Sequence, residues 1–143
     1  LKENLDLFEL LYEIELDMKN VICSHACITN GFKTDILDNY DIKDINKNKK
    51  DYFNMFHIIS AWRGGASDYG SPLWADLQEH CRAENHLVPY QIIGHSPVRE
   101  VMKFTTDDCE YYFVDTHSTY RDGSSFGNKS YLYFDGEKFE IIY

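Results

Sequence analysis

Gln91-Ile92-Ile93-Gly94-His95-Ser96-Pro97-Val98 is the stretch whose reading decides the fold. Gln91 to Ile93 read as a short buried strand. Its C-terminal end delivers a glycine, a histidine and a turn-forming Ser-Pro, so the imidazole of His95 is presented at a sheet edge rather than inside the core. Gly94 lets the backbone bend or approach another segment closely, and Pro97 fixes the exit, so the ring is mounted on a rigid corner. Ligands in open α/β sheets collect at such strand ends. An α/β fold with a candidate site at His95 is therefore the first expectation.

Working outward, Val21 to Ile28 reads as a second short buried strand running into a loop at Thr29-Asn30-Gly31, which sets His25 at a strand end as well. Upstream, Leu7, Leu11, Ile14 and Met18 fall at helical spacing with Asp6, Glu9, Glu13 and Asp17 opposite, so residues 3–18 read as an amphipathic helix. Residues 33–51, rich in Asp, Asn and Lys, carry no period that buries a face and read as a surface excursion. Tyr52, Met55, Phe56, Ile59 and Trp62 return to helical spacing, which predicts a helix over about 50–62 that stops at Gly64-Gly65. Arg63 is left in front of the glycine-rich loop Gly64-Gly65-Ala66-Ser67-Asp68-Tyr69-Gly70. Ser71-Pro72 is a good cap and first-turn pair for a helix over 72–82 with Leu73, Trp74, Leu77 and Cys81 on its apolar face.

From Pro89 the chain turns β-rich. Residues 89–94, 98–104, 110–115, 131–135 and 138–143 read as strands, with turns at 105–108 and at Asp135-Gly136, a strong hairpin signal. Strands joined by tight turns are antiparallel, so helices packed on a largely antiparallel C-terminal sheet are expected.

The 143 residues suit a single domain, 1–143, with one core. A hydrophobic content of 43%, with eleven Tyr and nine Phe, excludes a disordered chain. A net charge of −10 without a basic stripe argues against a nucleic-acid partner, while leaving room for one phosphate in a local cationic pocket. The sequence reads as carrying no signal peptide, and it has no apolar run near the length of a membrane span. Cys23, Cys27, Cys81 and Cys109 form no CxxC pair and read as reduced thiols of a cytoplasmic protein. The start at Leu1 without Met predicts a piece of a longer polypeptide.

Three pieces thus follow one another: Ser24-His25-Ala26 at a strand end, Arg63 opening a glycine loop, and Gly94-His95 at a second strand end. In this order they resemble the C-terminal half of the calcineurin-like metallophosphoesterases, in the branch of phosphoprotein phosphatases and diadenosine-tetraphosphatase-like enzymes. That half carries His-Ala-Gly or His-Gly-Gly, Arg-Gly followed by Phe-Gly or Tyr-Gly, and Gly-His-Thr/Ser-Pro. Here stand His25-Ala26-Cys27, Arg63-Gly64-Gly65 with Tyr69-Gly70, and Gly94-His95-Ser96-Pro97. Gly70-Ser71-Pro72-Leu73-Trp74 and Phe113-Val114-Asp115-Thr116 are similar to further segments of the bacterial members, so the resemblance runs from about Asn20 to the C-terminal part.

The resemblance implies half of a metallophosphoesterase sandwich and metal-dependent hydrolysis of phosphate esters, protein serine/threonine phosphatase-like or dinucleoside polyphosphatase-like. It implies His25 and His95 as metal ligands, Arg63 as a catalytic and substrate-binding residue and Tyr69 as a second substrate-binding one. The cofactors implied are two divalent ions, Mn, Fe or Zn, in the complete domain. The family's upstream motifs, Asp-x-His, Gly-Asp-x-x-Asp-Arg and Gly-Asn-His-Glu, are missing, and Cys27 stands where the family has Gly. The chain alone is thus expected to carry at most one partial metal site, and to need a missing N-terminal half or a second copy of itself as partner, with a phosphorylated substrate.

Two other readings stand beside it. Cys23, His95 and Asp115 lie in the order of a cysteine-hydrolase triad, with Cys27 as a substitute nucleophile; the strand setting of Cys23 offers nothing to lower its pKa. A half-domain that has kept its fold and lost its chemistry would be a non-catalytic binding module. His117 is a further candidate ligand. Cys23, His25 and Cys27 alternate along a strand and, with His80 or Cys81, would imitate a zinc site.

Overall fold

A computed structural model of the chain describes residues 8–17, 19–82 and 86–143, with 81 and 82 as backbone only. Its centre is a five-stranded mixed sheet in the order β1-β2-β3-β5-β4, built from β1 (Leu11–Leu16), β2 (Lys19–Ser24), β3 (Tyr90–Ile93), β4 (Met102–Thr105) and β5 (Glu110–Phe113). β2, β3 and β5 run parallel, while β1 and β4 flank them antiparallel. The fold is α/β as expected. The sheet, however, is mixed rather than largely antiparallel: β4 and β5 form the expected tight-turn pair, but β5 inserts beside β3 with its direction matched. β6 (Tyr131–Phe134) and β7 (Phe139–Ile142) form the separate hairpin foreseen at Asp135-Gly136. Asp135 accepts the amides of Glu137 and Lys138 there, and Gly136 takes φ +104°.

β1 overturns the expectation of a helix over 3–18 within its described part; residues 3–7 and 18 lie outside the described residues. Tyr12-Glu13-Ile14-Glu15-Leu16 also alternates apolar and acidic residues, and six paired positions, Leu11 opposite Ser24 through Leu16 opposite Lys19, satisfy its backbone on β2. Pairing across the sheet decided between two periodicities that one segment carried.

The crossover from β2 to β3 holds all the described helices: α1 (Asn30–Phe32), continued by a π-helical turn over Lys33–Leu37, then α2 (Ile42–Lys47), α3 (Lys49–Tyr52) and α4 (Leu77–Arg82). The polar stretch 33–51 is not a mere surface excursion. Its few apolar residues are spaced to point inward, so Ile36 and Ile45 are buried with Leu11, Ile22, Phe32 and Phe56. Asn46 fastens α2 to β1 by accepting the amides of Leu10 and Leu11.

The helix expected over 50–62 is broken into α3 and two 3-10 turns, Met55–His57 and Ala61–Arg63. Carbonyls that a continuous helix would use are taken by a neighbouring loop: Ser71 Oγ donates to Phe56 O, Ser71 N to Ile58 O and Ser67 N to Ile59 O. The helix expected over 72–82 starts later, at Leu77. Ser71-Pro72 makes a turn, with Trp74 and Ala75 donating to Ser71 O, and the helical run restarts behind Asp76. Cys81, foreseen on its apolar face, lies outside the described side chains.

A second cluster of buried residues, including Ile93, Val98, Tyr111 and Phe113, completes the core on the helical side of the sheet. On the opposite face the ring of Tyr112 meets Phe139 of the β6/β7 hairpin. No described helix is long and apolar enough to cross a membrane.

Candidate functional site

The three parallel strands end side by side. Ser24 pairs with Ile93 and Ile93 with Phe113, so the residues just beyond them, His25, His95 and Asp115, emerge at one edge of the sheet. A Cβ on Gly94 would stand 3.1 Å from the His25 carbonyl oxygen, so glycine is what lets the two histidine-bearing corners approach. His95 itself sits at φ +61°, a left-handed conformation unusual for a side-chain-bearing residue and recurrent at functional corners. Ser96 holds the corner by accepting the Leu77 amide at 2.8 Å.

The result is a direct contact between the two rings: Nδ1 of His95 and Nε2 of His25 are 2.9 Å apart, with the ring planes at 72°. Burial pushes the His95 imidazole below its ordinary value, helped by the neighbouring His25 and Arg63 and opposed by Asp76 and Asp115. That direction favours the neutral ring, the form that ligates metals.

Arg63 reaches the same place from the glycine loop. Its guanidinium donates to Asp76 Oδ2 at 3.0 Å, and Arg63, Asp76, His95 and Ser96 line one cleft of about 350 Å³. Asp76 was not foreseen. Its Oδ1 accepts the amide of Glu79, so it caps α4 with one oxygen and orients Arg63 with the other. Asp76-Leu77-Gln78-Glu79 carries an acid-x-x-Glu cap pattern that pointed to it. Asp115 accepts both contacts of the Ser118 hydroxyl, at 2.9 and 3.0 Å.

Tyr69 is placed elsewhere. Its hydroxyl donates to Asp35 at 2.8 Å and its ring lies on Gly31, where a Cβ would meet it at 2.2 Å, so both ends are engaged on the α1 side. His117 is exposed and its Nδ1 contacts the Thr116 hydroxyl. Cys27 is fully buried and its amide donates to Ala75 O, so the cysteine that stands where the metallophosphoesterases have glycine fills core space. Cys23 lies within β2 opposite Ile92, and burial pushes its thiol up to about 11. Among the described residues no group of three or more His, Cys, Asp or Glu converges as a metal site. Comparison with protein-family models, characterised proteins and solved structures finds no match to the chain.

Proposed function

We propose that the chain is the C-terminal half of a metallophosphoesterase domain and takes part in metal-dependent hydrolysis of phosphate esters or phosphoanhydrides. The observation that carries this is the 2.9 Å separation of the two imidazole nitrogens. Two nitrogens each about 2.0–2.1 Å from one ion stand about 2.9 Å apart at a right angle and about 3.3 Å apart at the tetrahedral angle. The two nitrogens are thus close enough to reach one ion, and imidazole ligands suit Mn, Fe and Zn alike. His25 and His95 hold this ion, and the remaining ligands and a second ion come from the N-terminal half, supplied by further chain or by another subunit.

When bound, the metal ions neutralise phosphate charge and promote attack by water on phosphorus. Arg63, oriented by Asp76 and with its other N–H groups free of that carboxylate, grips phosphate oxygens beside the histidines. It also supplies the local positive charge that a chain of net charge −10 otherwise lacks. The working place of such an enzyme is the cytoplasm. A Cys23 nucleophile is disfavoured, because a thiol raised to about 11 carries almost no thiolate at neutral pH.

Hydrolysis of p-nitrophenyl phosphate tests the reading. The chain joined to its N-terminal half is expected to turn over the ester only with Mn²⁺, Fe²⁺ or Zn²⁺ present, the isolated chain to be nearly inactive, and Arg63→Ala in the joined protein to cost about 2–4 kcal/mol in kcat/KM. Metal-independent turnover by the isolated chain would sink it.

A further inference from the structure

The segments that carry His25, Arg63 and His95 are all tied to the short stretch Pro72–Glu79. The His25 corner is held where Ala26 N donates to Pro72 O at 2.6 Å and Cys27 N to Ala75 O. The His95 corner is held by Ser96 on Leu77 N, and the Arg63 side chain by Asp76. The remaining link runs through Glu79, a carboxylate 5% exposed. Its Oε2 accepts the Ser60 hydroxyl at 2.7 Å and its Oε1 accepts the Gly70 amide.

Ser60 and Gly70 are the two ends of the loop that presents Arg63. Ser60 is also the loop's internal anchor: its carbonyl accepts the amides of Arg63 and Gly65, and the Ala61 amide closes onto Ser67 O. The loop has no slack at either end. A Cβ on Gly70 would stand 2.9 Å from Glu79 Oε1, and one on Gly65 2.0 Å from Ile59 O. A buried carboxylate is costly unless its oxygens are hydrogen-bonded, and here both oxygens are spent on the two ends of one loop.

We propose that Glu79 is a positioning residue that clamps the 60–70 loop shut and thereby fixes Arg63 beside His95. It acts one helical turn after Asp76, which fixes the guanidinium itself. The functional meaning of this clamp rests on Arg63 holding phosphate; the clamp does not.

Two readouts on the full chain separate these. The first is hydrogen exchange at Gly70 and the side-chain N–H signals of Arg63 by NMR; the second is the shift of those signals on titration with inorganic phosphate. Glu79→Ala is expected to speed Gly70 exchange at least tenfold, disperse the Arg63 signals and weaken phosphate binding about tenfold, with strand amides unchanged. Glu79→Gln, whose amide oxygen can accept Gly70 N–H while its NH₂ donates to Ser60, is expected to restore both. Ser60→Ala, which removes one arm without emptying the site, gives the same direction of change at smaller size and serves if Glu79→Ala does not fold. Unchanged Gly70 exchange and Arg63 signals in a folded Glu79→Ala or Ser60→Ala protein overturn the clamp. Loss of the clamp signals in the variants, with Arg63 of the parent protein indifferent to phosphate, overturns the phosphate role and leaves the clamp standing.

Discussion

Replacing Gln91 by Met is expected to destabilise the protein more than most core substitutions and to disturb the site without touching it. Gln91 is fully buried in β3, in register between Ile22 and Tyr111. Its Oε1 accepts the Ile28 amide at 2.8 Å, and its Nε2 donates to Ile28 O at 3.1 Å and to Val88 O at 2.9 Å. Methionine keeps the volume and leaves no sizeable cavity. What is lost is three hydrogen bonds, each worth about 0.5–1.5 kcal/mol net, and the change leaves two carbonyls and an amide buried without partners. The expected cost is about 3–5 kcal/mol, out of the 5–15 kcal/mol typical of a whole domain. Urea unfolding measures it: with a slope of about 2 kcal/mol per molar, the midpoint falls by about 2 M and the slope stays unchanged. Because Gln91 ties the segment after His25 to the strand before His95, affinity for Mn²⁺ is expected to fall as well. A midpoint shift below about 0.5 M would show that the side chain is not the joint between β3 and the 25–28 segment.

Three further outcomes follow from the same contacts. Burial pushes the His80 imidazole down to about 4, against 6.5 in the unfolded chain, so between those values the unfolded state takes up a proton that the native state refuses. Stability is therefore lost as the pH falls through this window, by about 3 kcal/mol at about 1.4 kcal/mol per pH unit. His80→Leu removes this part of the slope, and equal pH slopes in the two proteins would count against it. Gly94→Ala sets a methyl 3.1 Å from the His25 carbonyl oxygen; the strand ends must part by a few tenths of an ångström, and Mn²⁺ affinity is expected to drop while the unfolding midpoint moves little. Alkylating the accessible thiols of the joined enzyme should leave phosphate-ester turnover intact, since among the described cysteines Cys27 and Cys109 are buried and Cys23 is raised to about 11; complete inactivation would revive the cysteine-hydrolase reading.

The later strands were legible because their signals are local. Tyr90–Ile93, Glu110–Phe113 and the β6/β7 hairpin are short apolar runs between turn residues, and no rival pattern overlaps them. Leu11–Leu16 was not, because one segment carries helical and alternating spacing at once and only its partner β2 chooses. The 50–62 segment shows the reverse case. Its spacing correctly turned Phe56 inward, but its carbonyls found donors in the 67–71 loop, which no local pattern announces. The convergence of His25, Arg63 and His95 was readable because each stands at the end of a strand or beside a glycine loop. Asp76 and Glu79 were hidden by a competing helix start at Ser71-Pro72. Tyr69 shows how a residue next to a readable loop can face away from it.

The central claim is that His25 and His95 share one ion, and calorimetric titration of Mn²⁺ into the intact chain at pH 7.5 tests it most directly. One weak site is expected, and binding requires both rings to be neutral. Affinity should fall in acid, where protonation of either ring competes with the ion, and binding should be lost in His25→Ala and in His95→Ala alike. Binding that survives either substitution, or no binding at pH 7.5 in the parent chain, contradicts the shared site.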